Sequence, residues 1–380
     1  MWRGTSAQIL FLLRLPQIKA ALIVIPDPIV IPDLIRDPLT RKAWIAGLAC
    51  NDRRVGKVKS SAMPTYEPAS PNLQRTADHW DAWQRDLPAA QGLYKDWGDH
   101  PTVFQAVMRH VFGSADVDFF SFLKNKYPDC AQAHALSLCC GDGAFEEQLL
   151  QMGVFGEITG LELSPERIAY GESRNSQGQT DGLRRLHFLQ QDVNLGNYGE
   201  QCFDVVFAKA ALHHIEQLEQ AMEGIRRCLR PGGLLITIDF FGPSRFQWTD
   251  AQLAACNTFW SQRVPPRLQH GRAGHAVGAI TRPTPEAMIA MDPSEAVRSG
   301  ELYGLMRDHF DILEDFALGG TVLHLLLSED RVNHFDASDP SHNAVLEEAV
   351  AFEQQLISSG ALSSDFRFMV ARPKTTGPCA

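Results

Sequence analysis

From residue 130 onward the sequence predicts a doubly wound α/β fold built on a seven-stranded, mostly parallel sheet. Three observations carry that expectation. Short apolar runs alternate with stretches of helical period, a glycine turn follows the first run, and Pro231-Gly232-Gly233 punctuates the chain just before the fifth. Repeated strand–helix units of this kind imply parallel neighbours joined by helical crossovers.

The strands are expected near 135–139, 158–163, 186–190, 203–208 and 234–240, with helices near 143–152, 165–173 and 216–229. The third of these helices carries Arg226, Arg227 and Arg230 in its last turn, where cations suit a helix C-terminus. Two later strands are expected at 311–316 and 366–371, separated by helices near 321–329 and 343–359. Upstream, Trp80, Trp83, Tyr94 and Trp97 with Val103, Val107 and Val111 give a helical pattern from Thr76 to Gly113. Such aromatic rings usually pack on a core, although a leader of this kind can also cap a ligand site.

Between Gly242 and Asp292 the composition shifts toward Pro, Gly, His and Arg, as an inserted cap would. Asp292-Pro293-Ser294-Glu295 then reads as the start of a further helix, since proline is tolerated in a first turn and acids favour its positive end. The expected partition is a leader over 1–62, a helical cap over 63–129, a ligand-binding core over 130–242, a substrate-side insert over 243–300, the rest of the sheet over 301–372 and a tail over 373–380.

Residues 1–62 read unlike the remainder. Pro26, Pro28, Pro32 and Pro38 sit in a short Ile-Pro-Asp repeat that forbids a regular helix, and no amphipathic period is present. The stretch resembles the translation of a repetitive intergenic element, so Met63 is the expected natural start; a disordered basic leader is the alternative. Arg14 and Pro16 interrupt its apolar run, against a secretory signal.

Ten Lys/Arg and four Asp/Glu give that leader +6, which leaves −16 of the chain's −10 for the rest. An acidic body repels phosphate backbones, so nucleic acid is not the expected partner. With 44% hydrophobic and 21% charged residues the chain can bury a core, and no apolar run has the length of a membrane span. The eight cysteines include no CxxC pair and lie partly in apolar runs. They read as reduced, buried residues of a cytoplasmic protein, with no metal site expected.

The first strand and turn read ALSLCCGDGAF, with Cys139, Cys140, Gly141, Asp142 and Gly143 forming the turn. Glycines there permit close backbone approach of a ligand, and free N–H groups at the next helix favour polar groups. Nineteen residues after Gly143, Glu162 ends the second strand, where a carboxylate can accept from two ribose hydroxyls. With Asp192 in LQQDV, the run FDVVFAKAALHHI and the entry LRPGGLLITID, five elements follow one another in the order and spacing of the class I S-adenosylmethionine-dependent methyltransferase family, which the chain resembles over 130–245.

The resemblance implies a Rossmann-like sheet with S-adenosyl-L-methionine as cofactor. Asp192 would accept from the adenine amino group, Val193 would offer its N–H to the ring, and Leu163, Ala208 and Lys209 would complete the cofactor side. Family members usually have an acidic residue where Ser137 stands and glycine where Cys139 stands. The acid helps to hold the methionine amino group, so that contact must come from elsewhere, such as Asp142 or backbone carbonyls. Cysteine suits the turn provided that its φ stays negative.

Methyl transfer is an in-line displacement, and aligning the partners can contribute roughly 7–11 kcal/mol. His213 and His214 follow the fourth strand beside the expected acceptor; one is expected to face the site as a base while the other caps or packs. Lys209 would meet the cofactor carboxylate or an acidic substrate, or remain solvated. The expected acceptor is a small molecule methylated on O or N. Arg263, Arg267, His270, Arg272, His275 and Arg282 in the insert point to an anionic one, a solvated polar loop being the alternative.

The Asn/Asp-Pro-Pro-aromatic motif of base-methylating relatives is replaced here by Ala208-Lys209-Ala210-Ala211. A catalytically weak cofactor-binding regulatory subunit is the second reading. An NAD(P)-binding oxidoreductase is a third, disfavoured because Phe145 and Glu146 follow Gly143 where G-x-G-x-x-G needs glycine. Spermidine-synthase-like use of a related cofactor is a fourth. The acceptor atom and oligomeric state are not legible in the sequence.

Overall fold

The computed structural model describes residues 71–86, 93–177, 186–269 and 278–374. The 1–62 leader, Met63, His270, Arg272 and His275 lie outside these. In chain order the elements are α1 (Pro71–Asp86), α2 (Pro101–Phe112), α3 (Phe119–Lys126), β1 (His134–Leu138), α4 (Ala144–Gln151), β2 (Glu157–Glu162), α5 (Pro165–Gln177), β3 (Leu186–Gln190), β4 (Phe203–Lys209), α6 (Leu218–Cys228) and β5 (Leu229–Phe240). They continue with α7 (Asp250–Arg263), α8 (Pro285–Met291), α9 (Leu302–His309), β6 (Phe310–Gly319), α10 (Leu323–Leu326), α11 (Glu329–Val332), α12 (Pro340–Ser358) and β7 (Phe366–Pro373).

The seven strands form one sheet in the order β3-β2-β1-β4-β5-β7-β6. The first five run parallel, and β7 lies antiparallel between β5 and β6. This is the expected doubly wound α/β sheet. Strands β1, β2 and β4 are buried along almost their whole length, because helices cover both faces and apolar residues need not alternate with polar ones.

One face is filled by a large core in which Phe119, Phe155, Phe207, Phe368 and Val103 are essentially inaccessible; the other by Leu212, Ile215, Met222, Ile225 and Leu235 against α6 and α9. From β1 the chain winds outward to β3 and then returns to β4. The loops leaving β1 and β4 therefore part, and a crevice opens between them at the carboxyl edge of the sheet.

Two local expectations are corrected. Helix α6 ends at Cys228, and β5 begins at Leu229, so Arg230 lies in the strand, where it pairs with Asp204 (2.8 Å). The helix expected to open at Asp292 lies before it: α8 starts behind the Thr284 cap with Pro285 in its first turn and ends at Met291. Asp292 instead accepts from Ser294 N and Oγ (both 2.8 Å) in the turn that follows. Among the described residues no helix is long and apolar enough to cross a membrane.

Candidate active site

The turn after β1 places Cys139, Gly141 and Gly143 at φ 52°, 61° and 72°. Cys139 thus takes a glycine's conformation, contrary to the negative φ the sequence suggested, at a cost of about 1–2 kcal/mol for an L-residue. Cys140 N donating to Leu161 O (2.9 Å) and Gly143 N to Cys140 O (3.1 Å) hold the turn in that shape. A Cβ on Gly141 would enter the Arg167 guanidinium, and one on Gly143 would stand 2.5 Å from Phe188 Cζ.

Glu162, 4% exposed, ends β2 with its carboxylate against the turn. Its Oε2 accepts from Gly141 N, and its Oε1 from Leu163 N and Ser164 N, each at 2.8 Å. Asp192 caps the short helical turn after β3 by accepting from Asn194 N (2.9 Å) and Nδ2 (2.8 Å), both on Oδ1, which leaves Oδ2 for a ligand. Cys139, Glu162, Leu163, Asp192 and Val193 line one wall of a cleft of about 510 Å³. The donor set suits a nucleoside: two carboxylates for hydroxyl and amino donors, and a turn with no room for a side chain where a ligand would pass.

The opposite wall belongs to His214, Arg245, Pro293, Ser294 and Val297. The two histidines behave differently. His213 is 2% exposed and does not line the cleft. Its Nδ1 meets Asp239 Oδ1 at 2.6 Å and its Nε2 stands 3.4 Å from Glu295 Oε1. Burial alone would depress its pKa, but Asp239 more than offsets this, aided by Glu295 and Asp292, so the value is raised.

His214 lines the cleft beneath Trp80, whose ring meets it edge-on at 5.5 Å. Burial and the charge on His213 push its pKa down to about 3, so the pair's proton resides on His213. Ser294 donates its hydroxyl to Asp292 Oδ1, so the 3.1 Å contact between His214 Nδ1 and Ser294 Oγ has the histidine as donor. That tautomer leaves Nε2 as an acceptor. His213, His214 and Glu295 also bring three possible ligand atoms within 4.8 Å of one another.

Arg245 follows β5 at φ 55° and reaches the cleft from a loop pinned by its own N–H on Ala296 O (2.6 Å) and by Nη1 on Glu295 O (3.0 Å). The arginines emphasised by the sequence are engaged elsewhere: Arg263 with Glu348 (3.0 Å), Arg267 with Ser341 (3.1 Å) and Arg282 with Asp250 (2.6 Å). On the near side α1 closes the cleft. Asp81 accepts from Ser164 Oγ, and the buried Arg167 guanidinium lies 4.8 Å and 5.0 Å from the Trp80 and Trp83 rings.

Other predicted residues lie outside the cleft. Asp142 faces Arg174, which reaches both its carboxylate (3.2 Å) and its carbonyl (2.7 Å). Cys140 turns inward against Gly160, and Ala208 is fully buried in β4. Lys209 points under the turn with Nζ 4.4 Å from the Phe145 ring, and burial lowers its pKa to about 8 against the opposing pull of Asp99 and Glu146. Sequence reasoning passed over Arg167, Arg245 and Ser294. Each sits beside a positive-φ turn or a helix start, and only the fold brings those points to one cleft.

Residues 136–237 match the family described as the methyltransferase domain. The matched segment runs from β1 into β5, so the chain is similar to that family over the part of the sheet whose edge builds the cleft. Over 125 residues the chain is 30% identical to a malonyl-[acyl-carrier protein] O-methyltransferase of Paenibacillus sp. (strain JDR-2), covering 32% of this chain and 44% of that one. It is 26% identical over 120 residues to a demethylmenaquinone methyltransferase of Bacillus velezensis (strain DSM 23117 / BGSC 10A6 / LMG 26770 / FZB42), covering 31% and 50%. The chain thus spans half or less of the length of these relatives. Among solved structures, the [4+2]-cyclase SpnF aligns over 82% of this chain and 98% of its own at 16% identity, with a TM-score of 0.46.

Proposed function

We propose that the protein is an S-adenosylmethionine-dependent methyltransferase that methylates a hydroxyl or amino group of a small molecule. The observation that carries this reading is the single cleft shared by two kinds of residue: Cys139, Glu162, Asp192 and Val193 from the sheet edge, and His214, Arg245 and Ser294 facing them. The named relatives act on small acceptors or carrier-bound ones, which fits a cleft rather than an extended basic surface. In this reading residues 130–242 hold the cofactor, while 63–129 and 243–300 close over the acceptor.

The bound cofactor would supply a methyl group on a sulfonium, ready for in-line attack. Glu162 would accept from the ribose hydroxyls and Asp192 Oδ2 from the adenine amino group. Lys209, held beneath the turn, would face the carboxylate end. His214 would orient the acceptor through Nε2 and take up its proton late in the transfer, since its low basicity keeps it neutral beforehand. Trp80 and Arg167 would exclude water from the near side. An anionic group on the acceptor would lie against Arg245, now the cation on which that preference rests. A cytoplasmic setting completes the reading.

Calorimetry with S-adenosylhomocysteine on the full chain tests the core of it. A saturable heat that Glu162→Ala weakens by about 10-fold or more is expected, a charged hydrogen bond being worth roughly 1.5–3 kcal/mol. No binding of either cofactor form would sink the proposal. Binding without methyl transfer to any acceptor would instead favour a regulatory subunit.

A further inference from the structure

Position 137 is where this chain departs from the pattern of the family it resembles: serine stands where that pattern has an acid. The structure nevertheless places a carboxylate there. Glu146 sits in the first turn of α4, the helix that the glycine turn launches, and it is 3% exposed. Its Oε1 accepts from Ser137 Oγ at 2.7 Å. Ser137, 2% exposed, lies in β1 two residues ahead of Cys139, the turn residue that lines the cleft, and by strand alternation shares the face of Ala135.

The second carboxylate oxygen is the informative one. Oε2 of Glu146 is buried and has no hydrogen-bond partner among the described residues. Buried polar atoms are nearly always satisfied, and an ionised carboxylate without a counter-charge is among the costliest exceptions. Lys209 is the cation drawn toward it, yet its Nζ lies over the Phe145 ring and makes no hydrogen bond among the described residues. Asp142, the sequence's candidate for this contact, is committed to Arg174. Glu146 accepts from its own N–H in the first turn of α4 and also reaches back to β1 through Ser137.

We propose that Glu146, positioned by Ser137, receives the amino group of the cofactor's methionine end in place of the acid missing at 137. The inference rests on the cofactor reading above. Burial raises the Glu146 pKa to about 7, opposed in part by the Ser137 hydroxyl, its own backbone N–H and Lys209, and an arriving ammonium group is a charge that would bring it down further.

The test compares two ligands on the full-length protein by calorimetry: S-adenosylhomocysteine, and 5′-methylthioadenosine, which lacks the amino-acid end. Glu146→Gln is expected to weaken S-adenosylhomocysteine by about 10- to 100-fold, as loss of one charged hydrogen bond does, and to leave 5′-methylthioadenosine within about twofold. Ser137→Asp added to Glu146→Gln should recover most of the loss by supplying the carboxylate directly. If Glu146→Gln fails to fold, Ser137→Ala replaces it, with a smaller loss again confined to S-adenosylhomocysteine. Equal weakening of both ligands, or no weakening of either, overturns the assignment. Failure of the wild-type protein to bind both ligands would overturn the cofactor reading beneath it.

Discussion

At the scale of single residues the site is organised by one buried ion pair. Asp239 accepts from Ala211 N (2.9 Å), Leu212 N (2.7 Å) and His213 Nδ1 (2.6 Å), so it fixes both the loop after β4 and the histidine. Asp239→Ala should cost about 3–5 kcal/mol, the range for removing one partner of a buried pair, read as a lower urea midpoint. The pair also sets a pH window. His213 is raised above 6.5, so its contribution is complete below 6.5 and lost as pH climbs through the higher folded value. Asp239, whose burial is outweighed by His213 and the backbone donors, is held below 3.8; its contribution stands above 3.8 and fades as pH falls through the lower value. Glu295, Asp292 and His214 face the pair from the other side. Wild-type stability should therefore decline above pH 6.5 more steeply than that of Asp239→Ala, and parallel profiles would refute the linkage. His214 has a different duty. His214→Ala should lower turnover by about 10²-fold or more, in the range of general-base contributions, while S-adenosylhomocysteine affinity stays level; a matching loss of affinity would make it a packing residue.

Among the elements, α1 decides whether the cleft is closed. It reaches α5 through Asp81 to Ser164 and Arg85 to Glu166 (2.5 Å), and Trp80 covers both Arg167 and His214. Trp80→Ala should weaken S-adenosylhomocysteine by about 10-fold, in line with roughly 1–3 kcal/mol for a stacked ring. Amide exchange over 71–86 should quicken in the same variant; unchanged exchange would mean that the helix docks without its tryptophan. The sequence made the sheet legible because each of the first four strands is a short, largely apolar run: 186–190 agrees with the edge strand β3 at both ends. It misled at 230 because arginine serves equally at a helix end and at a strand facing Asp204. It misled at 292 because Asp-Pro-Ser-Glu stabilises a turn by the same side-chain bonds that cap a helix. Gly143 and Glu162 were readable from spacing alone, whereas Arg167 and Arg245 depend on contacts between segments far apart in the chain.

For the molecule as a whole, the cleft is a junction of three regions, and its charge is set by their sum. The sheet edge contributes Glu162 and Asp192, the region after β5 contributes Arg245 and Ser294, and Asp292 with Glu295 lies just behind. Burial lowers the Arg245 pKa, and Asp292, Glu216 and Glu295 work against that, so the guanidinium stays charged beside the acceptor space. Among the described residues the Arg245 side chain bonds only through Nη1, on Glu295 O (3.0 Å), which leaves donors for a ligand. A planar guanidinium with free donors selects carboxylate or phosphate over neutral groups. Two acceptor panels matched in size, one anionic and one neutral, should differ when S-adenosylhomocysteine release is followed: the anionic panel should react faster at low salt. Arg245→Gln should erase the difference by raising KM for the anionic members about 10-fold or more, with kcat for neutral members unchanged, a charged hydrogen bond again setting the scale. Faster reaction of the neutral panel in the wild type would assign Arg245 to holding the Glu295 loop and would return the acceptor to an uncharged hydroxyl or amine.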